Sequence, residues 1–165
     1  VRCGPLHDRM RRFWPPRRAR FPKLSIMITM ADGERRRVAC VSAIIVDDAG
    51  RLLVVRRAHE PGAGLWSVPG GRVEAGEDDA TAVVREVREE TGLEVAVGRH
   101  VGTVERDGPD GVVYVINDYI CTPTGGSLEA GDDAADAVWA ATEMVRSLPT
   151  VPLLLETLEA WRVLP

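Results

Sequence analysis

The stretch Gly71-Arg-Val-Glu-Ala-Gly-Glu-Asp-Asp-Ala-Thr-Ala-Val-Val-Arg-Glu-Val-Arg-Glu-Glu-Thr-Gly-Leu93 decides how this chain is read. Its second half carries a helical period. Ala80, Val83, Val84, Val87 and Thr91 recur at i, i+3, i+4, i+7 and i+11, which predicts one packing stripe over a helix at Asp78–Thr91. Glu77, Asp78 and Asp79 put negative charge at its N-terminus, and Gly92 suits the left-handed residue that closes it. Glu86, Glu89 and Glu90 lie at i, i+3 and i+4, so they share a face, and the wheel aims that face largely away from the stripe. Each like-charged pair costs an exposed helix about 0.2–0.5 kcal/mol. A hard divalent cation such as Mg²⁺, which takes carboxylate oxygens and substrate phosphates, offsets that repulsion. Three glutamates alone fit a solvated acidic face better than a metal site. Gly70-Gly71, which lets backbone approach a ligand, and Arg85, within reach of Glu89 or Glu77, favour the metal reading.

Working outward, Val38–Val46 is a near-continuous β-branched run and predicts a buried strand. Asp47–Gly50 supplies a turn, and Arg51–Arg56 a second strand, expected to form a hairpin with the first. Leu65–Val68 is a short extended piece. Glu94–Glu105 and Val112–Thr122 read as long strands around a turn at Asp107–Gly111. Pro123–Gly131 reads as a loop, Ala137–Ala140 as a strand, Thr142–Ser147 as a helix capped by Thr142, and Val151–Trp161 as a closing helix. Strands before and after one helix, then a terminal helix, predict an α/β protein: a mixed β-sheet with helices on both faces.

The chain has 165 residues, 45% hydrophobic and 28% charged, which fits one globular domain and excludes a disordered, collagen-like or coiled-coil chain. No apolar run approaches the roughly 20 residues of a membrane span. Cys3, Cys40 and Cys121 are odd in number and form no CxxC pair, so free thiols and a reducing, cytoplasmic location are expected. Residues 1–37 hold eleven Lys/Arg against three acids (11 − 3 = +8), and residues 38–165 hold ten against 22 (10 − 22 = −12). The expected organisation is a basic, disordered extension over 1–37 and a folded domain over 38–165. A solvated arm is the plain reading of the extension; nucleic-acid or membrane-surface contact is the functional one.

The full motif resembles that of the Nudix hydrolases: Gly71, Glu77, Arg85, Glu86, Val87, Glu89, Glu90, Gly92 and Leu93 fill every specified position of the family pattern. The approach Gly64-Leu-Trp-Ser-Val-Pro-Gly-Gly71 is also similar. The resemblance covers roughly residues 38–160. It implies the Nudix fold, an α/β/α sandwich. It further implies Glu86, Glu89, Glu90 and the Gly71 carbonyl as ligands of Mg²⁺ or Mn²⁺, and Arg85 as the orienting group with Glu77 as its ion-pair partner. The implied reaction is hydrolysis of a nucleoside diphosphate linked to another group.

Glu86 is the expected general base, with Glu89 and Glu90 mainly as ligands. Asp133, or its neighbour Asp132, is the candidate for a late ligand or base, set against a plain loop acid. Arg56 and Arg57 are candidates for phosphate or ribose contact and Trp66 for base stacking. Against them stand a solvated strand end and a core tryptophan. His7, His59 and His100 show no metal-ligand spacing. The runs Arg56–Gly71 and Asp118–Gly126 are similar to the ADP-ribose pyrophosphatase-like branch, which implies ADP-ribose cleaved to AMP and ribose 5-phosphate. The neighbouring MutT-like branch implies a (d)NTP or oxidised nucleotide. A ligand-sensing module without turnover is the alternative of another class. The family implies a small nucleotide as partner and a possible homodimer.

Overall fold

The computed structural model describes residues 35–131 and 133–165; the expectations for residues 1–34 of the basic extension and for Asp132 fall outside the described residues, whereas Arg37, expected in the extension, opens the first strand. Eight residues of the β-branched run, Val38–Ile45, follow Arg37 in β1 (Arg37–Ile45). Both faces of β1 are buried, and its residues divide by parity. Val41, Ala43 and Ile45 join one core with Ala82, Val83 and Val87 of the helix α1 (Asp79–Thr91), while Ile44 joins a second core with Val145 and Leu158. Those two belong to α2 (Thr142–Ser147) and α3 (Leu154–Ala160). A strand with helices on both sides must be apolar at consecutive positions, which is why this run shows no alternation.

The expected hairpin does not form. β2 (Leu52–Arg57) touches the end of the first strand only through an isolated bridge, Val46 to Leu52. The turn itself is built as the sequence suggests: the Asp47 carboxylate accepts the amides of Ala49 and Arg51, and Gly50 takes a left-handed φ of 71°. Beyond it the chain enters a second sheet. There β2 runs antiparallel to both β3 (Trp66–Ser67) and β7 (Ala134–Ala140). Leu53 faces the α1 core, and Leu52 and Val54 face the other.

The first sheet is mixed, in the order β4-β1-β6-β5, with β4 (Gly70–Arg72) at one edge. β6 (Val113–Gly126) pairs parallel with β1 and antiparallel with β5 (Leu93–Asp107). The mixed sheet and the helices on both sides are as expected. Several boundaries differ, and β7 opens at Ala134 where the strand was expected from Ala137. β6 runs on through Gly126, where a loop was expected, because Leu93–Val95 extend the pairing. The last helix starts only at Leu154, because Leu153 holds a left-handed φ of 66°. Thr142 is not the cap of α2: Ala141 takes that position, and the Thr142 hydroxyl donates to the Pro165 carbonyl. No described helix is long and apolar enough to cross a membrane, and Cys40 and Cys121 are free and buried.

Leu53 is fully buried between β2 and α1. Leu53→Ala is expected to lower stability by about 2–5 kcal/mol through lost transfer energy and a residual cavity. The check is urea unfolding, where the midpoint should fall while the slope stays constant.

Candidate active site on the first helix

α1 is capped at both ends. The Asp78 carboxylate accepts the Thr81 amide at 2.8 Å, and Gly92 closes the helix at φ 68° with its amide on the Arg88 carbonyl. The packing face keeps Val83, Val87 and Thr91 of the apolar stripe but is rolled away from Ala80 and Val84. Ala82, Val83, Val87, Glu90 and Thr91 are buried, whereas Ala80 is exposed and Val84 is 40% exposed in a groove with Val97. The helix is therefore rolled so that Glu90 points into the protein, with only 8% of its surface exposed. Glu86 flanks it half-buried, and Glu89 alone faces solvent.

The roll is set by the edge strand β4. The Gly70 amide donates to Glu90 Oε2 at 2.9 Å. The next residue, Gly71, lies so close to Glu86 that a Cβ there would come within 2.4 Å of its carboxylate. Two glycines at this edge thus let two carboxylates of the helix lie against bare backbone. Burial pushes the Glu90 carboxyl up to about 7, opposed by the Gly70 amide and helped by the neighbouring Glu86 charge. Glu86 is raised for the same first reason, with Arg85 opposing.

Arg85 binds the other side of the array. Nε and Nη2 form a two-pronged pair with Glu77 at 2.7 and 2.9 Å. Nη1 donates to Glu86 Oε1 at 2.8 Å and to Glu89 Oε2 at 3.0 Å, and Nη2 also reaches the Arg72 carbonyl at 2.9 Å. These five contacts match the five donors of a guanidinium, a set lysine does not offer. The pair with Arg85, together with the Glu74 amide, lowers the Glu77 carboxyl to about 2. The alternatives of Glu89 or Glu77 as the partner of Arg85 thus resolve into both.

Of the other candidates, Asp133 lies near enough for its charge to raise both Glu86 and Glu90, and Arg57 near enough to oppose the shift at Glu90. Arg57 Nε is tied to the Pro61 carbonyl at 3.0 Å. Arg56 turns the other way, to the Ala135 carbonyl and Asp136 on β7. Trp66 is not displayed for stacking; it is 8% exposed and packs in the second core, as a core tryptophan would. Sequence reasoning passed over His59, whose Nε2 sits 3.5 Å from Asp133 Oδ1, and a tie at the start of α1. There Asp79 Oδ2 accepts from Asn117 Nδ2 at 2.8 Å and from the Tyr119 hydroxyl at 2.7 Å. Two polar side chains at alternate positions of a strand, facing an acid on a helix, were the available signal for that tie.

Among the described residues no three His, Cys, Asp or Glu side chains form a ready metal cluster. Arg85 Nη1 stands between Glu86 and Glu89, and Glu90 is turned to Gly70. The donor chemistry nevertheless fits a hard cation: three carboxylates on adjoining helix positions, one of them buried without a cationic hydrogen-bond partner, beside a glycine backbone that leaves room for nothing larger than itself.

Residues 36–158 match the family described as NUDIX domain. The chain is 35% identical over 127 residues to a CTP pyrophosphohydrolase of Escherichia coli (strain K12), a match spanning 77% of this chain and 93% of that one. It is 38% identical over 96 residues to an ADP-ribose pyrophosphatase of Methanocaldococcus jannaschii, spanning 56% of each. Among solved structures, the solution structure of the E. coli ORF135 protein superposes with a TM-score of 0.66 at 34% identity, over 79% of this chain and 94% of that one.

The Glu90 shift has a definite sign. A carboxyl raised to about 7 in the fold, against 4.5 when unfolded, penalises the folded state as pH rises through that window. Without divalent cations, Glu90→Gln is expected to gain on the wild type by roughly 3 kcal/mol between pH 4 and pH 8. Thermal or urea unfolding in chelator at the two pH values measures this.

Proposed function

The chain belongs to the Nudix family of pyrophosphohydrolases, and from that premise we propose that it cleaves the diphosphate linkage of a nucleotide at the α1 carboxylates. The single observation that carries this is the buried Glu90 carboxylate held against Gly70 beside a half-buried Glu86. Such an arrangement is costly unless a cation or proton completes it.

In this reading Glu86, Glu89, Glu90 and the Gly71 carbonyl hold Mg²⁺ or Mn²⁺, with Asp133 as a further ligand. When bound, the ion supplies charge neutralisation at the phosphates and acidifies a water. The protein's own part is positional and acid–base. Arg85, fixed by Glu77 and the Arg72 carbonyl, holds Glu86 and Glu89 in one orientation. Glu86 Oε1 carries the Arg85 bond, which leaves Oε2 to take the proton of the attacking water. Its raised affinity for protons suits that role, because a base works best when its pKa approaches the working pH. Water adds to one phosphorus, the bridging oxygen leaves with its electron pair, and two phosphate products result. In this reading Arg57, whose charge reaches Glu90, meets a phosphate oxygen.

Two substrates are carried forward. A nucleoside triphosphate, cleaved to a monophosphate and pyrophosphate, is favoured by the likeness to the CTP pyrophosphohydrolase over nearly its whole length. ADP-ribose, cleaved to AMP and ribose 5-phosphate, is supported by the runs Arg56–Gly71 and Asp118–Gly126 and by the shorter likeness to the ADP-ribose pyrophosphatase.

Glu86→Gln and Glu90→Gln are expected to lower kcat by about 10²-fold or more while leaving a cooperative unfolding transition in place. The assay is turnover of CTP, other (d)NTPs and ADP-ribose with Mg²⁺ or Mn²⁺, with products identified. Wild-type turnover in both variants would remove the proposed site.

A further inference from the structure

The segment before β7 is stitched to the C-terminal end of α1. The Glu129 amide donates to the Thr91 carbonyl at 3.0 Å and the Gly131 amide to the Glu90 carbonyl at 3.1 Å, and a Cβ at Gly131 would collide with the Glu89 carbonyl. Two residues on, the Asp133 carbonyl accepts the Ala58 amide at 3.2 Å, one step beyond the last β2–β7 pair, Arg57 with Ala134. The main chain at Asp133 is therefore fixed between the end of α1 and the end of β2. Its carboxylate faces the helix acids, since its charge adds to burial in raising both Glu86 and Glu90. Yet 73% of that side chain is exposed, and among the described residues a single charged partner stands beside it: His59, whose Nε2 lies 3.5 Å from Oδ1. With the backbone fixed, the aim of this carboxylate is a choice of rotamer, and His59 is the group that biases it.

His59 itself stands on a braced loop. The register of β2 on β7 slips between Arg56 and Arg57, an irregularity of the kind that re-aims side chains at a strand end. Past it, Arg57 ties the loop at three points. Its amide donates to the Leu65 carbonyl at 2.9 Å, its carbonyl accepts the Gly64 amide at 2.9 Å, and its Nε donates to the Pro61 carbonyl at 3.0 Å. The neighbouring Glu60 is turned back into the loop, where it accepts the Gly62 amide at 2.7 Å. The imidazole is thus carried to Asp133 on a rigid base. An exposed pair of this kind adds only about 0–1 kcal/mol to stability, so folding does not account for it. Groups that orient a metal ligand from behind do account for such a contact, and losing one commonly costs about 10–100-fold in metal affinity or activity.

We propose that His59 is a positioning residue of the α1 site, holding the Asp133 carboxylate toward Glu86 and Glu90 so that it joins them in binding a divalent cation. This rests on the cation reading of the α1 carboxylates and on Asp133 as their further ligand. In the cation-free protein three like charges repel, and an unattended Asp133 swings out to solvent. The imidazole opposes that movement through Oδ1 and leaves Oδ2 uncommitted.

The test is calorimetric binding of Mn²⁺ to the full chain without nucleotide, so that it does not depend on turnover, together with thermal unfolding in chelator. His59→Ala should weaken Mn²⁺ binding about tenfold, and Asp133→Ala at least as much. The unfolding midpoint of His59→Ala should stay at the wild-type value, which separates positioning from a structural role. His59→Gln, whose side-chain amide presents an N–H at similar reach, should bind Mn²⁺ within about threefold of the wild type. In the Asp133→Ala chain, His59→Ala should change nothing further, as expected of a residue that acts through another. Wild-type affinity in His59→Ala, equal losses in His59→Ala and His59→Gln, or a His59→Ala loss that persists without Asp133 would each overturn the proposal and leave the α1 carboxylates as a cation site. Wild-type affinity in Glu90→Gln would instead overturn the reading of those carboxylates, and the proposal with it.

Discussion

Glu90 lies on the packing face of α1, where a helix of this kind ordinarily presents an apolar side chain, and its carboxylate is pressed against the amide of Gly70. A buried carboxylate is penalised unless it is protonated, hydrogen-bonded or paired. Here one amide bond meets part of that demand, and the burial that raises the carboxyl to about 7 shows that it does not meet all of it. The surroundings are arranged to hold the side chain there nonetheless. Gly71 leaves the edge strand bare where Glu86 lies against it, and Gly70 lets that strand close on Val41 and Ser42 of β1. At the C-terminal end, the Gly131 amide bonds the carbonyl of Glu90 itself, and a Cβ at Gly131 would collide with the Glu89 carbonyl. At the N-terminal end, Asp79 is tied to Asn117 and Tyr119 of β6. The helix is thus fixed against the sheet at both ends and along its middle.

Arg85 is the counterweight. Four carboxylates crowd this part of the surface, and a single guanidinium hydrogen-bonds three of them, with Glu77 taking its two-pronged contact. The division of labour follows from burial. Glu77 is paired and strongly acidic, a structural anion. Glu86 and Glu90 are desolvated, and burial raises both carboxyls, Glu90 to about 7. The fold joins the two kinds of carboxylate through one guanidinium, since Arg85 bonds both Glu77 and Glu86.

Much of this was legible from residue spacing. Glu86, Glu89 and Glu90 at i, i+3 and i+4 must share a helix face, and the closing Gly92 follows from residue type, whereas Asp78, expected as the first helical residue, is the cap before it. The orientation of that face was not legible. Val84 and Ala80 belong to the apolar pattern yet lie outside, because the contacts of Glu90 and Glu86 with β4 set the roll of the helix, and those contacts join residues about twenty positions apart. The same limit explains the missing hairpin: the turn at Asp47–Gly50 is encoded locally, but the departure of β2 into another sheet is decided by its pairing with β7, some eighty residues on. Trp66, Arg56 and Arg57 were ambiguous for a further reason. Burial and the direction of a long side chain depend on the neighbouring strand, which turns Arg56 to β7 and Trp66 into the core.

The central claim is that Glu90 holds a proton in the cation-free protein near neutral pH and gives it up when a divalent ion binds. Calorimetric titration of Mn²⁺ into the metal-free protein at pH 6.5, in two buffers of different ionisation enthalpy, counts the protons released. The account predicts a release of most of one proton in the wild type and much less in Glu90→Gln. Binding of Mn²⁺ without proton release, or the same release from both proteins, would contradict it.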